Sequence, residues 1–184
     1  MAAIYFRIMN YSLFGFSTFA FILSLFSVSP FFVGAEPEET KVFPEDEIVF
    51  PETLLNISGE KVATKKLGEK YVGIYFSASW CGPCRKFTPK LIEFRNKHSK
   101  EFEVIMVGGD GSAKAQANYM KKYGMPWLAM ENQSLEAKHA SKVSDVEFIP
   151  FLVVLDKEGN IVTKAGKQDL TKLGDGALDY WKDL

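Results

Sequence analysis

The chain has 184 residues, 47% of them hydrophobic and 14% aromatic, which suits one globular domain plus a further segment and is short for two domains. Its 22 basic and 23 acidic residues leave a net charge of -1 and no basic stripe, which argues against nucleic acid or an anionic membrane surface as a partner. The only cysteines are Cys81 and Cys84, and the only imidazoles, His98 and His139, lie at no ligand spacing from them; neither a disulfide scaffold nor a metal site is expected.

Met1 to Ala35 carries a single charge, Arg7, ahead of a long apolar run from Leu13 to Val33. The small residues Gly34 and Ala35 then precede the acidic stretch Glu36-Pro37-Glu38-Glu39. This pattern reads as a secretory signal peptide over residues 1–35, with an uncleaved N-terminal anchor as the alternative, since the run is long enough to span a bilayer. Either reading places the rest of the chain across a membrane, periplasmic or secreted, where no glutathione pool holds thiols reduced. Membrane association is expected only if the segment stays uncleaved.

Residues 36–51 read as an acidic, Pro-rich mobile linker, and residues 52–184 as the globular domain. Tyr71 to Ser77 is a continuous apolar run of strand length. Pro83 to Lys97 sets Phe87, Leu91 and Phe94 at helical spacing. Phe102 to Val107 predicts a second buried strand, Ala113 to Tyr123 a second helix, and Leu135 to Ser141 a short third helix. Phe151 to Leu155 predicts a strand that turns through Asp156 to Asn160 into Ile161 to Lys164 as a hairpin. Asp169 to Leu184 supplies a final helix. The order β-α-β-α-β-β-α defines an α/β fold, a mixed central sheet flanked by helices on both faces.

The chemistry concentrates in Ser77-Ala78-Ser79-Trp80-Cys81-Gly82-Pro83-Cys84-Arg85, where a buried strand gives way to a helix. Free backbone N–H groups and the helix dipole at that point favour a thiolate on the first cysteine. Cys81 is therefore the expected nucleophile toward a substrate disulfide, and Cys84, one turn into the helix, the expected resolving thiol. Pro83 suits the first helical turn, and Gly82 lets the chain turn tightly beside the sulfur. Trp80 is expected to pack beside the site and contact the partner, with ordinary core packing as its alternative. Pro89 removes a hydrogen bond within the helix.

The segment Trp80-Cys81-Gly82-Pro83-Cys84 resembles the thioredoxin active site, with Pro89 where that family kinks its helix. The wider blocks Tyr75 to Cys81, Phe87 to Phe94 and Met125 to Ala129 are similar to the tryparedoxin and nucleoredoxin branch, over about Leu54 to Val162. The resemblance implies a thioredoxin fold. It also implies a cis proline facing the cysteines, matched by Ile149-Pro150, whose exposed backbone would pair with an extended substrate. Two departures stand out. Tryparedoxin-like proteins usually carry two prolines between the cysteines, where this chain has Gly82-Pro83. Classical thioredoxins also bury an acid six positions before the first cysteine, where this chain has Tyr75; Asp110 and Glu147 are the nearby acids considered as substitutes.

Of the remaining features, Gly108-Gly109-Asp110-Gly111 lacks the signature of a phosphate loop and reads as a turn beside the active-site face. Trp127 fits a substrate groove or the core equally, His139 a solvated helix surface, and His98 a helix end. The leading expectation is a thiol–disulfide oxidoreductase of protein-disulfide reductase type, acting on exported clients with an unidentified electron donor or acceptor and no cofactor. The alternatives are a disulfide oxidant or isomerase in the same compartment, a non-catalytic binding module of the same fold, and peroxide reduction through the same dithiol.

Overall fold

The structure is a computed structural model that describes residues 41–184. The segment read as a signal peptide or anchor lies outside the described residues. Residues Phe43–Leu184 form one compact unit. Part of the stretch read as a linker therefore belongs to that unit. Ile48 is buried, and the Phe43 ring stacks on His139 with centroids 4.7 Å apart. His139 also shares a 2.8 Å hydrogen bond with the Glu47 backbone oxygen, so it is half-buried, not a solvated surface residue.

The sheet includes β1 (Thr53–Leu55), β3 (Tyr71–Ser77), β4 (Phe102–Gly108), β6 (Phe151–Leu155) and the edge strand β7 (Ile161–Thr163). With β2 (Lys61–Ala63) and β5 (Leu128–Ala129) the order across the sheet is β2-β1-β5-β4-β3-β6-β7. The central strand β3 runs parallel to β4 and antiparallel to β6. Strand side chains alternate between faces. One face buries Tyr75, Val104, Met106, Leu152 and Val154; the other buries Ile74, Phe76, Ile105, Val107, Val153 and Leu155.

The first face is covered by α1 (Gly82–Lys97) through Phe87, Leu91 and Phe94, by α2 (Ala113–Tyr123) through Tyr119 and Met120, and by α4 (Gly166–Leu173) and α5 (Ala177–Lys182) through Leu170 and Trp181. The second face is covered by α3 (Leu135–Val143) through Ala137, Ala140 and Val143, with Ile48 and Leu67 beside them. This is the thioredoxin fold, with helices on both faces as the element order predicts. The hydroxyls of Ser112 and Ser134 cap α2 and α3 by accepting from the N–H groups of Ala115 and Ala137, each at 3.2 Å. Arg95, in the last turn of α1, holds Glu103 of β4 in a two-pronged ion pair and ties helix to strand.

Three differences from the sequence reading have local causes. Strands β1, β2 and β5 are two or three residues long, too short to leave a periodic signature. The single C-terminal helix is two helices, interrupted by a tight turn at Gly174–Gly176. Gly174 has φ +55°, a left-handed conformation that stops α4 and that a side chain would disfavour. Helix α3 runs two residues past Ser141. Among the described residues, no helix is long and apolar enough to cross a membrane.

Candidate active site

The two cysteines sit where β3 ends and α1 begins. Pro83 occupies the first turn, where its missing N–H leaves no bond unmade, and Cys81 is the residue that caps the helix. Its Sγ accepts from the Cys84 N–H at 3.1 Å, one of the donors that a helix start leaves free. Cys81 and Cys84 are joined as a disulfide. The first turn contains no acidic residue, and Arg85 follows directly. Cys84 is fully buried, whereas Cys81 retains 5% exposure.

The flanks of the sulfurs come from separate parts of the chain. Trp80 is 66% exposed, and its indole N–H donates to the Gly109 carbonyl at 3.1 Å. Its ring is thus held at the surface by the turn after β4, not packed in the core. Opposite, the Ile149–Pro150 peptide is cis, and the Ile149 carbonyl oxygen lies 3.6 Å from Cys81 Sγ. The Ile149 side chain packs on the Ala78, Cys81 and Cys84 cluster. Gly82 sits at the rim with a Cβ position clear of backbone. All seven residues singled out from the sequence (Trp80, Cys81, Gly82, Pro83, Cys84, Ile149 and Pro150) therefore lie at one end of the sheet.

Beneath them lies a set of hydroxyls, of which the sequence reading missed Thr88 and Tyr119. The buried Thr88 hydroxyl donates to the Cys84 carbonyl at 2.9 Å and contacts the hydroxyls of Tyr75 at 2.9 Å and Tyr119 at 3.0 Å. Tyr119 in turn meets Ser77 at 3.0 Å. Thr88 lies four residues after Cys84, and Ser77 two after Tyr75 on the same strand face, so half of this set carried a spacing signal. Tyr119 carried none. Burial, the largest cause, pushes the Tyr75 phenol far above its ordinary value of about 10. It stays protonated wherever thiol chemistry operates.

That shift has a consequence for stability. Above pH of about 10 the unfolded Tyr75 gives up its proton while the folded form keeps it. The stabilisation is therefore fully present below that pH and is lost as pH rises, by up to about 1.4 kcal/mol per unit. Urea unfolding measured from pH 8 to 11 should show Tyr75→Phe less stable than the parent at pH 8, with the gap closing at the alkaline end. A constant gap would mean that the phenol ionises equally in both states.

The turn after β4 fastens the site from the side. Asp110, 3% exposed, accepts through Oδ1 from the Ser79 N–H at 3.1 Å and the Ser79 hydroxyl at 2.6 Å. The Gly109 N–H donates to the Ser77 carbonyl at 2.8 Å, and the Asn132 amide donates to the carbonyls of Gly108 and Asp110. Gly108 must stay small, because a Cβ there would run into the Gln116 side chain, which donates to the Met130 carbonyl at 2.9 Å. Of the two acids weighed against the residue at Tyr75, Asp110 thus reaches the active-site segment through Ser79, while Glu147 is exposed two residues before Ile149. Trp127 is core: 2% exposed, its ring edge-on to Tyr75 at 6.1 Å. His98 ends α1 against the Phe94 ring. Among the described residues no group of three or more His, Cys, Asp or Glu is placed to hold a metal.

A buried strand leading into a helix capped by the first of two paired cysteines, faced by a cis proline, defines a thioredoxin-fold redox site. The chain belongs to the thioredoxin-like family, whose sequence profile matches residues 68–161. Tryparedoxin of Trypanosoma brucei brucei is 39% identical over 132 residues, covering 70% of this chain and 90% of that protein. Probable nucleoredoxin 1 of Arabidopsis thaliana is 36% identical over 130 residues, 69% of this chain but 22% of that much longer protein. The chain thus spans under a third of the nucleoredoxins it matches, at 22%, 27% and 31% of their lengths. Among solved structures, native tryparedoxin I from Crithidia fasciculata superposes with a TM-score of 0.62 at 43% identity, covering 68% of this chain and 88% of that one.

Proposed function

We propose that the chain is a protein-disulfide reductase that acts on exported proteins through Cys81 and Cys84. The observation that carries this reading is the position of Cys81: it caps α1, accepts the Cys84 N–H at 3.1 Å, and has a fully buried partner sulfur behind it. In the reduced chain, the same N–H and the helix dipole stabilise a Cys81 thiolate. That thiolate attacks a client disulfide, forming a Cys81–client bond and expelling one client thiolate, which takes up a proton. Cys84 then loses its proton and attacks Cys81 Sγ. The Cys81–Cys84 bridge closes, and the second client thiol leaves with the electron pair. A dithiol donor returns two electrons to the bridge for the next cycle. Trp80 and the Ile149 backbone flank the entry path and are the groups that a client's extended chain would meet.

Tyr75 stands where classical thioredoxins bury an acid, and the hydroxyls of Tyr75 and Thr88 reach the Cys84 carbonyl; the proton of Cys84 passes to the client thiolate expelled in the first step. Export of the domain rests on the residue pattern of 1–35. Catalysed reduction of insulin disulfides by the chain with dithiothreitol tests the chemistry, and an inert chain would favour the binding-module alternative. Titration against glutathione buffers tests direction: a potential near about -270 mV fits a reductant, and one near about -120 mV fits an oxidant.

A further inference from the structure

Between the first turn of α1 and helix α2, and reaching the neighbour of Cys84, lies an open cleft of about 280 Å3. Ser79, Arg85, Asn118, Tyr119, Lys122 and Tyr123 line it. The guanidinium of Arg85 makes one hydrogen bond, from Nη1 to the Ser79 carbonyl at 2.8 Å, so most of its donors face the cleft or solvent. Lys122 is exposed in the last turn of α2 and has no ion-pair partner among the described residues. No acidic side chain lines the cleft. Ser79 on the lining is itself held by the Asp110 carboxylate, which is buried.

The charge pattern extends beyond the cleft. Helix α2 contains Lys114, Lys121 and Lys122 and no acid, and α1 carries Arg85, Lys86 and Lys90 before its only acid, Glu93. One flank of the redox site is therefore cationic in a chain whose net charge is -1. The half-buried ring of Tyr123, set edge to face on the buried Tyr119 at 5.2 Å, gives an apolar surface against which the methylene stem of a charged group can rest.

Building on the redox reading above, we propose that this cleft is a carboxylate subsite, which makes Cys81 react preferentially with disulfides that carry negative charge beside the sulfur. A guanidinium fork takes a carboxylate in two parallel hydrogen bonds, and an ammonium adds a second positive charge. With substrate sulfur at Cys81, a carboxylate a few bonds away falls beside Arg85, the neighbour of Cys84. The exchange itself is unchanged: the dithiol passes two electrons to R–S–S–R, two R–SH leave, and the Cys81–Cys84 bridge closes. The cleft changes which R group is met with attraction.

The test measures oxidation of the reduced whole chain by three small disulfides: glutathione disulfide, which is anionic, neutral hydroxyethyl disulfide, and cationic cystamine. The quantity compared between variants is the anionic-to-cationic ratio of rate constants, which removes the intrinsic reactivity of each compound. Lys122→Glu should lower that ratio on the order of tenfold at low salt, and the effect should fade toward 1 M salt, where the Debye length is about 3 Å. Lys172→Glu, on α4 outside the cleft, changes net charge equally and should leave the ratio within about twofold. Equal shifts in both variants, or none in Lys122→Glu, would overturn the subsite. Failure of the redox reading looks different: the unmodified chain would then react with none of the three, the neutral disulfide included.

Discussion

Replacing Cys81 with serine should reduce insulin turnover to the uncatalysed background, while replacing Cys84 with serine should arrest the chain as a stable mixed disulfide with its client. The asymmetry follows from where the two sulfurs lie. Cys84 has no exposed surface and sits behind Cys81, its carbonyl held by Thr88 and Tyr75 inside the helix. A client sulfur cannot reach it first. Cys81 lies at the helix cap beside the Ile149 carbonyl and is the cysteine of the pair that retains exposed surface, 5%. Without Cys84 no intramolecular thiol remains to displace the client, since the chain has no other cysteine. Non-reducing electrophoresis after mixing with a disulfide client reads the arrested species directly. Capture of the client by Cys81→Ser, or full turnover by Cys84→Ser, would reverse the assignment of nucleophile and resolving thiol.

The parts of this arrangement that were legible in the sequence are those with a local cause. Strand β3 and helix α1 announce themselves because seven successive residues suit a two-sided burial and Phe87, Leu91 and Phe94 recur at helical spacing. The cysteine pair, Pro83 at the helix start and the turn at Gly108 to Gly111 are equally local. What stayed hidden depends on residues far apart in sequence. Ser79 and Asp110 are 31 residues apart, and nothing in either neighbourhood says that a buried carboxylate will hold the loop before Cys81. Tyr119 joins Ser77 across 42 residues. Strand β5 exists because two residues, Leu128 and Ala129, fall alongside Ile105 and Met106; their own propensities could not have specified it. The cis state of Ile149–Pro150 was reachable only through resemblance, because the isomer is selected by packing and not by the dipeptide.

The largest stability effect is expected at the far end of the chain, at Trp181. Helix α5 has six residues, at most half of the roughly 12–15 that an isolated helix needs in water. Its place is set by what it buries. Trp181, 1% exposed, packs with Phe94 of α1 and Phe102 of β4, both at 5.5 Å between ring centroids, and its indole N–H donates to the Asp169 carboxylate at 3.1 Å. Trp181→Ala should therefore lower the unfolding free energy by about 3–5 kcal/mol, seen as a lower urea midpoint. Trp181→Phe, which keeps a ring but loses the N–H, should fall between that variant and the parent, because the Asp169 oxygen loses a donor. The contact with Phe94 lies about three and a half turns along α1 from Cys81, on the side of the helix that faces the sheet. Insulin turnover per folded molecule should accordingly survive Trp181→Ala at temperatures where the variant remains native. A loss of turnover without a loss of stability would instead mean that packing at the C-terminal helix reaches the geometry of the cysteine turn.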